Sequence, residues 1–576
     1  MKEIFNQTIE KVNVELKTAK TITSRISFLR LIIFLVFLIL LFIGFTTNDT
    51  LYTLFSLISL VIFMMIIINT NCFYEKVKFL HAKNQVLKNY LYRYDYGYRN
   101  FYDGSKGNEK TIFSSDLHII GKSSLYQYIN QAYSAYGKKR VLDALLLKDV
   151  SKNRINLMQE TANDIEKNRD FVFDFVTTSM QNFNNDPKTV QYYDELFSYK
   201  PHENKVLTIV SLVIPYIALI SLILGFINPV FITFAVVLYS FLALLTFKLI
   251  KMNNEVFALY LEFRKAAKFK NIFEKMANLT VTSQLMQNLQ KQAFQYAKEL
   301  HHYENTNSLI SFRSNCIFAF IFNLFIGLDS IILLKIRKQN YDFKKYYDLI
   351  AMIEEIISLN TINLVNEVKC MPEITDEKVI KAESIYHPLI KDAVTNNFYF
   401  PFDNYIITGS NMSGKTTFLR SIGINLVLAF SGSMVCAKEF SSPLITILTS
   451  LSLSDDLSNG ISSFYAEVIR IKEILENVDK PGLKLVLVDE IFKGTNSLDR
   501  IEGAKKLLLR LKRADVLSVF TTHDFELCDE SLNTKNYHFE EHYIDNKIYF
   551  DYQLKKGRCQ TTNAIYLMKM AGIIKE

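Results

Sequence analysis

The chain has 576 residues, 49% of them hydrophobic and 22% charged, with 66 Lys and Arg against 58 Asp and Glu for a net charge of +8. That is length for more than one domain, and the mixture suggests membrane segments joined to soluble parts. The six cysteines (Cys72, Cys316, Cys370, Cys436, Cys528, Cys559) are scattered without a CxxC pair, which argues against a disulfide framework or a zinc site and fits a reducing compartment. The basic excess is no evidence for DNA by itself, because Lys and Arg also gather beside cytoplasmic membrane ends.

The first 30 residues are polar and basic, without the pattern of a cleavable signal peptide. Two apolar runs follow, spans expected at about 26–46 and 51–69, joined by the polar "TTNDT". A second pair is expected at about 207–226 and 230–247, broken by "INP". A spanning helix needs about 20 mostly apolar residues, so each pair reads as a helical hairpin with a short outer loop. Lys11, Lys17, Lys20, Arg25 and Arg30 precede the first run, Lys76, Lys78, Lys83 and Lys88 follow the second, and Lys248 and Lys251 follow the fourth. The short loops carry no Lys or Arg, so the positive-inside rule puts both termini and both large soluble blocks in the cytoplasm. The alternative, core helices of a soluble protein, is disfavoured by four near-chargeless runs. A fifth apolar stretch, Cys316–Leu334, contains Asn323 and Asp329 and reads as a buried helix of the soluble part, with a fifth span as the alternative.

Residues 74–204 and 251–370 are helical in pattern. From about 371 short β-like runs ("YIIT", "LKLVLVDE", "VLSVFTTH") alternate with helical stretches, the signature of a parallel α/β sheet.

"GSNMSGKT" fits G-x-x-x-x-G-K-[ST] between a strand-like run and a helix. Backbone N–H groups of such a loop and the helix N-terminus surround phosphate oxygens. Gly409 and Gly414 permit the tight path. Lys415 reaches the β- and γ-phosphates, and the Thr416 hydroxyl ligates Mg²⁺; Ser410, Asn411, Met412, Ser413 and Thr417 complete the loop. "LKLVLVDE" ends in two carboxylates, Asp489 placed to hold the Mg²⁺ shell and Glu490 to orient or deprotonate the attacking water. "VLSVFTTHD" puts His523 at another strand's C-terminal edge, where open α/β sheets bind ligands and a γ-phosphate can be sensed. The expected catalytic residues are therefore Glu490, His523 and Lys415.

"TGSNMSGKTTFLR", "LVLVDEIFKGTNSLDRIEGA" and "VFTTHDFEL" together resemble the ATPase domain of the MutS mismatch-repair family, over about residues 383–573. "DEIFKGTNSLD" is the most specific, since related ABC-type ATPases rarely carry Phe-Lys-Gly-Thr before the Asp499 loop. "SLSDDLSNGISSFYAEVIRIKEIL" resembles the family's counterpart of the ABC signature segment. The resemblance implies that Ser462 and Ser463 approach the γ-phosphate held by a second subunit, that Asp499 joins the nucleotide site, and that the chain is an Mg²⁺-dependent ATPase working as a homodimer, with DNA a candidate partner. Upstream, residues 116–146 resemble the start of the MutS core, or lever, region. No counterpart of the mismatch-reading domain or of the C-terminal helix-turn-helix of MutS is expected, and membrane helices are expected at the N-terminus and where the DNA clamp of MutS interrupts the core.

The expected architecture is thus a C-terminal α/β P-loop NTPase domain of ABC/MutS type (371–576). It is preceded by a mostly helical core and lever region (74–204 and 251–370) and two transmembrane hairpins (within 1–73 and 205–250). The expected function is a membrane-anchored ATP switch. An ABC-type transporter ATPase and a membrane-tethered DNA-repair or DNA-binding protein are the alternatives.

Overall fold

Between Arg30 and Glu75, Asp49 is the only ionised side chain, and the computed structural model turns this stretch into the apolar half of a helical hairpin. It describes residues 2–47, 49–105, 111–184, 187–198, 205–225, 227–252, 254–302, 342–451, 463–492, 495–544 and 547–559, with isolated positions between 324 and 331. Helices α1 (Lys2–Thr47) and α2 (Thr50–Tyr94) have 46 and 45 residues, about 70 Å each at 1.5 Å per residue. The Asp49 carboxylate caps α2 by accepting the Leu51 N–H at 2.9 Å. Outward side chains in this half are large and apolar, Phe42 and Phe45 among them. Where charges resume, Arg30 lies 4.8 Å from the centre of the Tyr74 ring and Ser27 Oγ is 2.7 Å from Tyr74 Oη. Among the described residues these two helices are long and apolar enough to cross a membrane.

The second expected pair is α-helical too, with Pro215 inside one helix, Lys205–Leu224, followed by Val230–Met252. Its apolar stretches, Ile209–Leu224 and Val230–Leu245, are shorter than the roughly 20 residues that span a bilayer. The candidate helix Cys316–Leu334 lies, but for isolated positions, outside the described residues.

Two compact units make up the chain: Met1–Gln131 with Arg140–Lys167 and Glu355–Glu576, and Ala132–Lys139 with Asn168–Glu354. These divisions cut across the boundaries expected at 74 and 371, because α2 runs unbroken through the first and the segment after it packs on the sheet described below. The second unit is helical over its described residues, around buried Phe175, Phe183, Phe263, Phe269, Phe273 and Tyr347. Its buried Glu262 carboxylate is held by Lys188, Lys265 and the Tyr193 and Tyr347 hydroxyls, the pairing that burial of a charge requires.

The first unit carries the expected parallel sheet. Strands β1 (Glu373–Thr375), β2 (Val379–Ile385) and β3 (Asn396–Pro401) belong with β5 (Glu439–Pro443) to a four-stranded sheet. The larger sheet pairs β4 (Asn404–Thr408), β6 (Thr446–Ser450), β7 (Lys484–Asp489), β8 (Val516–Thr522) and β9 (Lys535–His538) in parallel, in the order β9-β4-β8-β7-β6. β4 and β8 are buried along their whole length, which is why these runs read as continuous apolar stretches. Register aligns Thr408 with Thr522 and Asp489 with Thr521, so the strands' carboxyl ends form one edge. Ile471, Ile474 and Val478 of the helix Ser463–Val478, and Leu507, Leu508 and Leu511 of the helix Ser497–Leu511, cover one face through a core with Val486, Val488 and Phe520.

Gly432 ends the helix Lys415–Ser431 at φ +87°, and a Cβ there would stand 2.4 Å from Met158 Cβ. Gly432→Ala therefore combines left-handed strain with overpacking, about 2–4 kcal/mol of destabilisation together. The melting temperature of the purified chain should fall by several degrees; an unchanged value would mean that Met158 moves aside.

Candidate nucleotide site

The edge just described collects the expected residues. β4 ends in a loop whose backbone turns left-handed at Met412 (φ +69°) and Gly414 (φ +100°). At Gly409 a Cβ would lie 2.8 Å from the Phe539 carbonyl and 2.9 Å from Ser413 Oγ, and at Gly414 3.0 Å from the Tyr552 ring. Both glycines are thus required by close approach, and Gly414 also by conformation. Lys415, 4% exposed, opens the following helix. Its ammonium curls back over the loop and donates to the Gly409 and Ser410 carbonyls at 2.9 and 2.8 Å.

The Thr416 hydroxyl donates to Asp489 Oδ2 at 2.7 Å, and Thr521 donates to the carboxylate's other oxygen. Glu490 sits at φ +49°, a strained backbone for a residue with a Cβ and one that concentrates at working sites. Its Oε1 is 2.9 Å from His523 Nε2 and 4.0 Å from Lys415 Nζ. His523 Nε2 also faces Asn411 Oδ1 at 2.8 Å. The same nitrogen is 3.3 Å from Lys415 Nζ, so His523 joins the phosphate loop to the strand-end carboxylate.

Beside the loop lies a cavity of about 610 Å³, lined on its apolar side by Ile385, Ile390, Val394, Phe539 and Tyr552, with Thr416 and Thr417 on its polar side. His387 also lines it, and burial, then the nearby Arg420 and His118, push its pKa down to about 3, so the ring is neutral. Sequence patterns did not point to this wall, nor to the Ser410 hydroxyl's hydrogen bond to the buried Glu541 at 2.8 Å.

Three expected residues remain. Ser462, with residues 452–461 of the signature-like stretch, lies outside the described residues, and Ser463 is the first residue of its helix. Asp499 is engaged in capping the helix Ser497–Leu511: its N–H donates to Asn496 Oδ1 at 2.9 Å and its carboxylate accepts from Asn496 Nδ2 at 2.6 Å. It is not among the residues lining the cavity.

Residues 405–576 match the family model of MutS domain V. The DNA mismatch repair protein MutS of Carboxydothermus hydrogenoformans is 30% identical over 344 residues, 57% of this chain and 39% of that protein. Its namesake in Clostridioides difficile is 29% identical over 342 residues, 56% of this chain and 34% of the relative, and that of Aquifex pyrophilus 31% over 218 residues, 36% and 25%. The chain thus spans less than two-fifths of the length of these relatives. Residues 405–576 thus carry a MutS domain V, and the chain is similar to MutS proteins of C. hydrogenoformans and C. difficile across more than half of its length.

Proposed function

We propose that the protein is a membrane-anchored Mg²⁺-dependent ATPase in which nucleotide binding and hydrolysis close and open two ATPase domains of a homodimer. The observation that carries this reading is the convergence of Lys415, the Thr416–Asp489 pair and the Glu490–His523 pair at the carboxyl ends of adjacent parallel strands, the place where open α/β sheets bind ligands. The residues fit a nucleotide: Ser413 Oγ is a buried polar atom without a hydrogen-bond partner in the protein, the loop is glycine-shaped, and the Lys415 ammonium rests on carbonyls that a phosphate can replace. Thr416 and Asp489 would hold Mg²⁺, which when bound neutralises charge between the terminal phosphates. Lys415 offers the point charge opposite the β- and γ-phosphates. Glu490 orients the attacking water and takes its proton, and His523 holds that carboxylate while Asn411 links it to the loop.

Dimer closure follows from the family resemblance, in which Ser462 and Ser463 complete the second subunit's site and Asp499 lies near it. The membrane reading rests on the exposed apolar half of α1 and α2 and on the Lys and Arg asymmetry around it. It puts both termini and the ATPase domain in the cytoplasm, and on the same charge pattern takes the second hairpin as embedded despite its shorter helices. Reporter fusions at Asp49 and Asn228 should then read outside, and one after Glu576 inside. An outside C-terminus, or an odd number of crossings, would defeat the topology.

The relatives' printed role in DNA mismatch repair favours one second reading, an ATPase that acts on duplex DNA from the membrane. Duplex binding by the detergent-purified chain that weakens steeply with salt, and responds to ATP, would favour it.

A further inference from the structure

The helix after the phosphate loop is gripped by a segment some 300 positions upstream. Residues 111–121 follow the hairpin α1–α2 and lie in the same compact unit as the ATPase sheet. The Asp116 carbonyl accepts from Arg420 Nε at 2.9 Å, one turn beyond Thr416. Leu117, fully buried, packs so tightly on the same helix that a Cβ on Gly423 would stand 2.5 Å from Leu117 Cδ2. A mid-helix glycine is unfavourable relative to alanine, and here this contact accounts for it.

The Asp116 carboxylate, 1% exposed, points the other way. Its Oδ2 accepts from the Thr449 hydroxyl at 2.7 Å and from the Leu451 N–H at 3.1 Å, at the end of β6. Arg470 Nη2, from the helix Ser463–Val478, is 3.8 Å away. One residue therefore joins the phosphate-loop helix to the strand and the helix on either side of the signature-like stretch. Its connection to α2 is also firm. Arg93, buried near the end of α2, donates to the Tyr128 and Asn130 carbonyls at 2.7 Å, and the Gly121 N–H donates to the Asp103 carbonyl at 2.9 Å.

We propose that Asp116 is a positioning residue for ATP hydrolysis, a rigid link through which the α1–α2 hairpin, the phosphate-loop helix and the helix Ser463–Val478 constrain one another. This rests on the ATPase reading above and adds the route by which that site is held. Asp116 is not among the residues that line the cavity beside the phosphate loop, so its loss should misplace the helix Ser463–Val478 while leaving the phosphate loop able to bind.

The experiment uses the full chain in detergent, with ATP turnover over a concentration series and affinity for a fluorescent ADP analogue. Asp116→Asn should lower kcat by about tenfold, a coupling of the size found for contacting residues, with ADP affinity unchanged within about twofold. Arg470→Gln should act alike, the double variant should be no worse than the stronger single one, and Thr449→Ser, which keeps the hydroxyl, should retain turnover. Parent-like kcat in Asp116→Asn, or a loss of ADP binding as large as the loss of turnover, would overturn the proposal. If Asp116→Asn does not fold, parent-like turnover in Arg470→Gln overturns it equally. A parent chain without ATP turnover would instead sink the ATPase reading itself.

Discussion

Glu490→Gln should leave nucleotide binding intact and slow hydrolysis by a factor of about 10²–10⁴, the usual contribution of a positioned acid–base group. The substitution keeps the side chain's length and leaves an oxygen able to accept from His523, 2.9 Å away in the parent. It removes the negative charge that polarises water. Lys415, Thr416 and the loop backbone, which supply the binding contacts, are untouched. If closure precedes hydrolysis, the variant should accumulate ATP-bound dimers. Asp489→Asn should behave differently, because Asp489 accepts from both Thr416 and Thr521, and weakening that arrangement impairs the metal position and closure as well as chemistry. Turnover and particle mass in detergent, with ATP and with ADP, separate the cases. A Glu490→Gln protein that hydrolyses ATP at the parent rate would refute the assigned base. One that is inactive yet has the same mass with either nucleotide would reject the ATP-driven dimer, unless the parent is already a dimer through its α1–α2 hairpin.

Lys415→Ala should reduce both ATP affinity and turnover, each by about 10²-fold or more, since truncating one partner of a desolvated charge contact costs about 2–5 kcal/mol. Lys415 is 4% exposed, and its ammonium donates to the Gly409 and Ser410 carbonyls. Alanine leaves those carbonyls facing the phosphates without a cation between them. The helix start should survive, because Gly414 and Thr416 set the turn and alanine is a good helix former. Equilibrium binding of a fluorescent ATP analogue and steady-state turnover check the expectation together. Normal hydrolysis in this variant would show that the loop is not the active site.

The short-range parts of the site were legible in the sequence because local chemistry demands particular residues at particular spacings. The loop path from Gly409 to Gly414 needs glycine at both ends, as the close approach of Phe539 and Tyr552 shows, and the strand "LKLVLVD" announces itself by an apolar run ending in carboxylates. Asp489 and Thr416 could be assigned to one place because the strand that carries the first and the helix that carries the second belong to one recognisable fold, although 73 positions separate them. Other contacts carried no such signal. Glu541 meets Ser410 across 131 positions and Asp116 meets Thr449 across 333, and nothing in the spacing of either residue marks it. Gly503 reads as one more residue of a helix until Phe492 is found where its Cβ would be, at 2.9 Å.

By itself, then, the sequence determined which residues are candidates for chemistry and where charge is excluded from its helices, since the glycine-flanked loop, the strand-end carboxylates and the apolar runs are written in contiguous residues. Only the tertiary structure decided how that chemistry is held. The burial of Asp116, its link from the hairpin to the phosphate-loop helix, and the His523 ring set between Glu490 and Asn411 arise when distant segments close-pack, and close packing selects shapes and partners that no local pattern encodes.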